Sequence, residues 1–254
     1  MTQSLFSLEN KCAIVTGATS GIGQAMAAAL AEAGANVAGV GSSGNFAETE
    51  GLVKAAGRKF VPITADLSVM DDVYKVVPAA HAALGRLDIL INNAGTIRRS
   101  PSVDFSEKDW DDVMMINLKS AFFLSQAIAR VFLEQQSGGK IINVASLLSF
   151  QGGILVPSYT ASKAGLAGIT KTLANEWAGK GINVNAIAPG YIATKNTEPL
   201  RNDSARSKSI LERIPAARWG EPGDLAGIAV FLSSRASDYC HGGVYPVDGG
   251  WLGR

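Results

Sequence analysis

Short apolar runs alternate with longer amphipathic stretches along the whole chain. The runs at 12–15, 37–40, 60–63, 87–91, 140–144, 182–187 and 244–247 have the length of buried strands. Between them, 21–33, 45–57, 70–84, 107–134, 157–178 and 222–233 carry the spacing of helices that hide one face. Strands apolar on both faces belong in a parallel sheet with helices on each side. The pattern therefore predicts one α/β domain over residues 1–254, built on a doubly wound parallel sheet of seven strands. No repeat, low-complexity tract or linker interrupts it. Residues 193–218 break the rhythm, being long, polar and rich in small side chains. They read either as a lid over a binding site or as a solvated surface excursion.

Charge and composition narrow the class. Lys plus Arg total 23 against 22 for Asp plus Glu, a net charge of +1. Such a balance offers no basic footprint for nucleic acid, which leaves small molecules or further copies of the chain as partners. No apolar stretch reaches the ~18 residues of a membrane span, so no membrane partner is expected. Residues 1–10 lack the basic-then-apolar pattern of an export leader, and the expected location is cytoplasmic. Cys12 and Cys240 belong to no C-x-x-C pair or Cys/His cluster, so neither a metal site nor a disulfide framework is expected. His81 reads as a solvated helix residue, and His241 is no better placed as a hydrolase base.

Tyr159-Thr160-Ala161-Ser162-Lys163, with Ser146 upstream, changes the picture. On a helix over 157–178, Tyr159 and Lys163 stand four apart and share a face, which sets an ammonium beside a phenol. A free phenol titrates near pH ~10 and each pKa unit is ~1.4 kcal/mol, so a near-neutral phenol needs roughly 4 kcal/mol of differential stabilisation. A lysine and a cationic cofactor ring together would supply it. Alone, a Y-x-x-x-K pair is more often a half-buried tyrosine and a solvated lysine.

Thr16-Gly17-Ala18-Thr19-Ser20-Gly21-Ile22-Gly23 follows the first predicted strand and opens the first helix, where glycines let the backbone approach a pyrophosphate. Its G-x-x-x-G-x-G spacing departs from the common G-x-G-x-x-G. Asp66-Leu67 and Asn92-Asn93-Ala94-Gly95 end the third and fourth strands, on the side where open α/β sheets bind ligands. Asp66 suits an adenine amino group or a cap for a helix starting near 68; the two are compatible. Asn92 and Asn93 suit a stacked, hydrogen-bonded ring or a simple turn.

Together these residues resemble the short-chain dehydrogenase/reductase family from Lys11 to Gly250. The resemblance is carried by Thr16-Gly17-x-x-x-Gly21-Ile22-Gly23, Asn92-Asn93-Ala94-Gly95, Asn117, Ser146, Tyr159-x-x-x-Lys163 and Pro189-Gly190, in the family's order. It implies a Rossmann-like domain, a homotetramer, and NAD or NADP without a metal. By resemblance, Tyr159 is the proton donor or base, Lys163 lowers its pKa, Ser146 holds the substrate oxygen and Asn117 keeps a relay water. Without the family match, Ser146 is a polar strand end and Asn117 a mid-helix residue satisfied by backbone. The implied cofactor residues are Gly17, Thr19, Ser20, Gly21, Ile22 and Gly23 in the turn, with Ser42, Asp66 and Leu67 at the adenosine end. Asn93, Ala94, Gly95, Tyr159 and Lys163 follow toward the nicotinamide, and Pro189, Gly190, Ile192 and Thr194 flank its carboxamide and the pyrophosphate. The same resemblance places one dimer interface on helices 107–134 and 157–178 and another on residues 244–254. There, Trp251 and Leu252 either meet a neighbouring subunit or cover their own core.

Residues 41–44 end the second strand with Gly-Ser-Ser-Gly, offering neither an acid for a ribose hydroxyl nor a base for a 2′-phosphate. Modest discrimination with a slight lean to NAD is expected. Arg98 and Arg99, after the fourth strand, suit a substrate carboxylate, a solvated surface or a subunit contact. Arg98 is the candidate taken here, with Tyr159, residues 146–153 (Ser146, Leu148 and Gly153 among them) and Arg218-Trp219-Gly220 completing a pocket of mixed character. Stretches at 93–99, 193–197, 213–220 and 247–252 resemble family branches acting on small sugar acids, of the 2-deoxy-D-gluconate or 2-keto-3-deoxygluconate type. A gluconate 5-dehydrogenase branch and a 3-ketoacyl carrier-protein reductase are the alternatives. A non-catalytic dinucleotide sensor is the rival from another class, and it has no use for Asn117, Ser146, Tyr159 and Lys163 together.

Overall fold

The structure, a computed structural model, describes residues 5–253. Seven parallel strands form one sheet in the order β3-β2-β1-β4-β5-β6-β7. They are β1 (Cys12–Thr16), β2 (Asn36–Gly41), β3 (Phe60–Thr64), β4 (Ile89–Asn92), β5 (Gly139–Val144), β6 (Ile182–Pro189) and β7 (Val244–Val247). Every residue of β1 and β6 is buried, as strands covered on both faces require. On one face pack α1 (Gly21–Glu32), Val53 of α2 (Ala47–Ala55) and α9 (Ala226–Ser233). Opposite lie α3 (Met70–Leu84), α5 (Ser120–Gln135) and α6 (Pro157–Trp177). No helix of the described residues is long and apolar enough to cross a membrane.

Two expectations need correction. The single helix over 107–134 is α4 (Glu107–Met114), a π-helical turn at Met115–Lys119, and α5. Ser106 starts α4 by accepting from Asp109 N at 3.1 Å. The 193–218 segment is not irregular. It carries α7 (Glu198–Asn202) and α8 (Ser204–Leu211), the latter capped by Asp203, which accepts from Arg206 N at 3.0 Å. Within the tail, Trp251 is 4% exposed and packs on Leu147, Ile210 and Ile214, so it covers its own chain; Arg254 lies outside the described residues.

The strand order reverses between β1 and β4, which opens a crevice at their carboxyl ends. Thr16 clamps that point. Its hydroxyl accepts from Asn93 N and Ala94 N, both at 2.9 Å, and donates to Ile91 O at 3.4 Å. One donor and two lone pairs are all used. We expect Thr16→Val, which keeps the volume but leaves two N–H groups without an acceptor, to cost roughly 2–3 kcal/mol, with Thr16→Ser recovering most of it. Urea unfolding measures this, and a valine variant as stable as wild type contradicts the clamp.

Candidate active site

A cleft of about 620 Å3 runs from the glycine turn to Lys163 and Thr194. Gly17 (φ +66°) and Gly21 (φ +59°) hold the left-handed backbone that turns β1 into α1. A Cβ on Gly23 would strike the Gly17 carbonyl and the Asn93 amide. Ser20 caps α1 through its backbone alone, so the N–H groups of the first turn have no side-chain acceptor. A left-handed glycine cradle beneath a helix N-terminus fits a dinucleotide pyrophosphate.

Most expected cofactor residues line this cleft. Gly17, Thr19, Ser20, Gly21, Ile22 and Gly23 form its floor, and Asn93, Ala94 and Gly95 its middle. Tyr159, Lys163, Pro189, Gly190, Ile192 and Thr194 complete the far end. Three do not line it. Ser42 stands exposed beyond β2. Asp66 accepts from Ser68 N at 2.9 Å and Ser68 Oγ at 2.8 Å, closing a turn ahead of α3, while Leu67 is 8% exposed in the core. Of the two asparagines expected beside a ring, Asn93 lines the cleft and Asn92 does not. Asn92 Nδ2 turns into the core toward Asn143 Oδ1 (2.9 Å) and Ser125 Oγ (3.0 Å), and Asn93 Nδ2 donates to Thr16 O at 2.9 Å. Both amides brace the protein.

At the cleft's far end, α6 carries Tyr159 and Lys163 one turn apart. Lys163 is 3% exposed and donates to Val144 O at 2.6 Å, with its ammonium 5.6 Å from the Tyr159 ring centre. Burial pulls the Lys163 pKa down to about 8. Ser146 ends β5, and its hydroxyl accepts from Leu148 N at 3.2 Å. Burial pushes the Tyr159 phenol above its ordinary value, against the opposing pull of the hydrogen-bonded Ser146 and of the Arg99 guanidinium. The acidic phenol expected from Lys163 is therefore not a property of these residues alone, because desolvation outweighs the pull of its polar neighbours.

Asn117 sits in the π-turn and joins the ends of two elements. Its Oδ1 accepts from Thr96 N at 2.8 Å, and its Nδ2 donates to Thr96 O at 2.9 Å and to Ser162 Oγ at 3.1 Å. Ser162 Oγ in turn donates to Tyr159 O at 2.9 Å. The side chain is thus a strut between the β4 exit and α6.

A second cavity, of about 320 Å3, meets the cleft at Ser146 and Tyr159. Leu148 and Gly153 line it as expected, but Arg98 and residues 218–220 do not, Arg218 being paired with Asp224 at 2.7 Å. The Arg98 guanidinium turns to α4, with Nε 3.3 Å from Asp109 Oδ1, and its Nη1 donates to Thr96 Oγ1 at 2.8 Å. Arg99 takes the place proposed for it: it lines the cavity and donates to Asn196 O at 3.1 Å. Sequence reasoning missed Arg206, Arg213 and Trp251 here, and Lys195 and Arg201 in the cleft. Seven-residue spacing from Arg206 to Arg213, two helical turns, was the available signal for the first pair. No Asp or Glu is among the described residues lining this cavity.

Fold and site together define a dinucleotide-dependent oxidoreductase. The family model described as "Enoyl-(Acyl carrier protein) reductase" matches residues 17–252. The 2-dehydro-3-deoxy-D-gluconate 5-dehydrogenase of Escherichia coli (strain K12) is 58% identical over 254 residues, covering 100% of both chains. That of Bacillus subtilis (strain 168) is 53% identical over 98% of this chain and 97% of its own. A solved gluconate 5-dehydrogenase from Burkholderia cenocepacia J2315, in complex with NADP and tartrate, is 34% identical with a TM-score of 0.94 over 100% of both chains. The chain belongs to the short-chain dehydrogenase/reductase family, whose members use NAD or NADP.

The buried Lys163 gives a pH signature. Its folded pKa of about 8 lies below the ordinary 10.5, so between these values the unfolded chain holds more protons and stability rises with pH. From pH 7 to 9.5 we expect wild type to gain about 2 kcal/mol relative to Lys163→Met, read from urea midpoints. Parallel curves for the two proteins contradict the assignment.

Proposed function

We propose that the chain interconverts a secondary alcohol and a ketone of a small sugar acid of the 2-dehydro-3-deoxy-D-gluconate type, using NAD or NADP. The supporting observation is that Ser146 and Tyr159 line both cavities, so the phenol stands where a dinucleotide and a substrate would meet. The nicotinamide, when bound, supplies the hydride chemistry. The chain supplies alignment and a proton. In reduction Tyr159 gives its phenolic proton to the carbonyl oxygen, which Ser146 Oγ also binds, and in oxidation the phenolate takes the proton back. Lys163 stabilises that phenolate by its charge. Asn117 fixes α6 against the β4 exit so that these groups keep their places.

Arginine at three positions and the absence of a lining carboxylate favour an anionic substrate over an acyl thioester. Relatives named as 5-dehydrogenases support the 5-position as the site of oxidation. An uncharged Gly41-Ser42-Ser43-Gly44 turn supports use of both cofactors with a slight lean to NAD, and NADP in the solved Burkholderia relative agrees with tolerance of a 2′-phosphate in this fold. The same proposal includes a cytoplasmic homotetramer. An apolar hollow on α4, the π-turn, α5 and α6 that includes Met114, Leu118, Phe122 and Ile169 supports contact between copies of the chain.

The test is absorbance at 340 nm with NAD or NADP and a panel of aldonates, 3-deoxy-2-ketoaldonates, polyols, hydrophobic alcohols and ketoacyl thioesters. We expect turnover of a 3-deoxy-2-ketoaldonate with both cofactors, less than a thousandfold apart. Tyr159→Phe should hold less than a tenth of that activity and bind dinucleotide as wild type does. Activity confined to hydrophobic alcohols or thioesters overturns the substrate.

A further inference from the structure

The arginines that line the substrate cavity fall into two groups. One is Arg99, which lines the cavity with Ser146 and Tyr159 and is held by Asn196 O at 3.1 Å. In the other group, Arg206 and Arg213 come from α8 and the turn after it, and their charges act on the Tyr191 phenol, whereas Arg99 is the arginine whose charge acts on Tyr159. The Arg213 guanidinium lies 4.0 Å from the centre of the Trp251 ring. Trp251 is itself set in place: its Nε1 donates to Gln151 Oε1 at 3.3 Å, and its ring packs 4.7 Å from that of Tyr191. A guanidinium stacked on an indole loses rotamer freedom beforehand and keeps its N–H edge for an anion. Neither arginine has an ion-pair partner among the described residues, whereas Arg98 and Arg218 pair with acids. Two unpaired guanidinium groups on one side of a cavity without acids make an anion site.

We propose that Arg206 and Arg213, the latter seated on Trp251, form the carboxylate subsite, and that this side of the cavity orients the substrate so that a carbon remote from the carboxylate reaches Tyr159. The inference rests on the sugar-acid reading and adds to it which end of the molecule goes where. A substrate held by its carboxylate at these two arginines presents a distal hydroxyl, not the carbon next to the acid, to Ser146 and Tyr159. Specificity then comes from the α8 segment and chemistry from the ends of β5 and α6.

The full chain is assayed with 2-dehydro-3-deoxy-D-gluconate and with the neutral 3-deoxyketose in which CH2OH replaces the carboxylate. The readout is the ratio of their kcat/KM values. In Arg206→Gln/Arg213→Gln the preference for the acid is expected to fall at least tenfold, mainly through KM. Arg213→Lys, which keeps the charge and loses the planar fork, should fall between. Arg98→Gln should keep the wild-type ratio. An unchanged ratio in the double variant overturns the subsite. If wild type turns over neither compound, the sugar-acid reading itself has failed, and the subsite is judged by calorimetric titration with D-gluconate. Loss of binding in the double variant supports the subsite; equal binding, or none to either protein, overturns it.

Discussion

An ammonium group buried at the end of a strand must find acceptors or give up its charge. Lys163 meets that demand with the Val144 carbonyl at 2.6 Å, and most of the site is arranged around this contact. It ties α6 to the end of β5, one residue from Ala145 and two from Ser146. Ser149 Oγ closes the same junction by donating to the Lys163 carbonyl at 2.7 Å. Burial lowers the lysine to about 8 and raises the phenol beside it, so both groups sit away from their ordinary protonation equilibria. A site that desolvates a base and an acid side by side responds strongly to any further charge placed there.

The segment after β6 belongs to both cavities. Asn196 and Thr197 line each of them, Lys195 and Arg201 line the nucleotide cleft, and Arg206 and Arg213 line the substrate cavity. Thr197 Oγ1 donates to Ile192 O at 2.6 Å, and Arg201 donates to Thr194 O at 3.3 Å, which fold the start of the segment back on the β6 exit. Cations that line two different cavities thus sit on one short stretch of chain. This gives the polar composition of residues 193–218 a physical purpose under the proposed function.

Much of this was legible beforehand because it follows from periodicity. Buried parallel strands are continuously apolar, so 12–15 and 182–187 announce themselves, and a tyrosine and lysine four apart on a helix share a face. Gly17, Gly21 and Gly23 were readable because only glycine tolerates the left-handed turn or the close approach that each one makes. Side-chain direction in irregular backbone is another matter. Arg98 and Arg99 are neighbours on an extended stretch, and Asp109 with Asp112 on one face of α4 drew the first away from the cavity. Asn92 and Asn93 read alike in the sequence, yet the Asn92 amide points into the core, while Asn93 lines the cleft with its amide nitrogen bonded under the glycine turn. The π-turn at Met115–Lys119 leaves no mark in the hydrophobic pattern, since one widened turn shifts the register without changing residue types.

The central claim of the proposed function is electrostatic: with dinucleotide bound, the charge of Lys163 is to hold the Tyr159 phenol below its ordinary value, against the desolvation that raises it in the chain alone. Ultraviolet titration at 295 nm, with dinucleotide present, follows the phenolate directly in wild type, Tyr159→Phe and Lys163→Met. The account predicts one phenol in wild type that titrates below pH ~10, is missing in Tyr159→Phe, and moves upward in Lys163→Met. The same midpoint in wild type and Lys163→Met contradicts it.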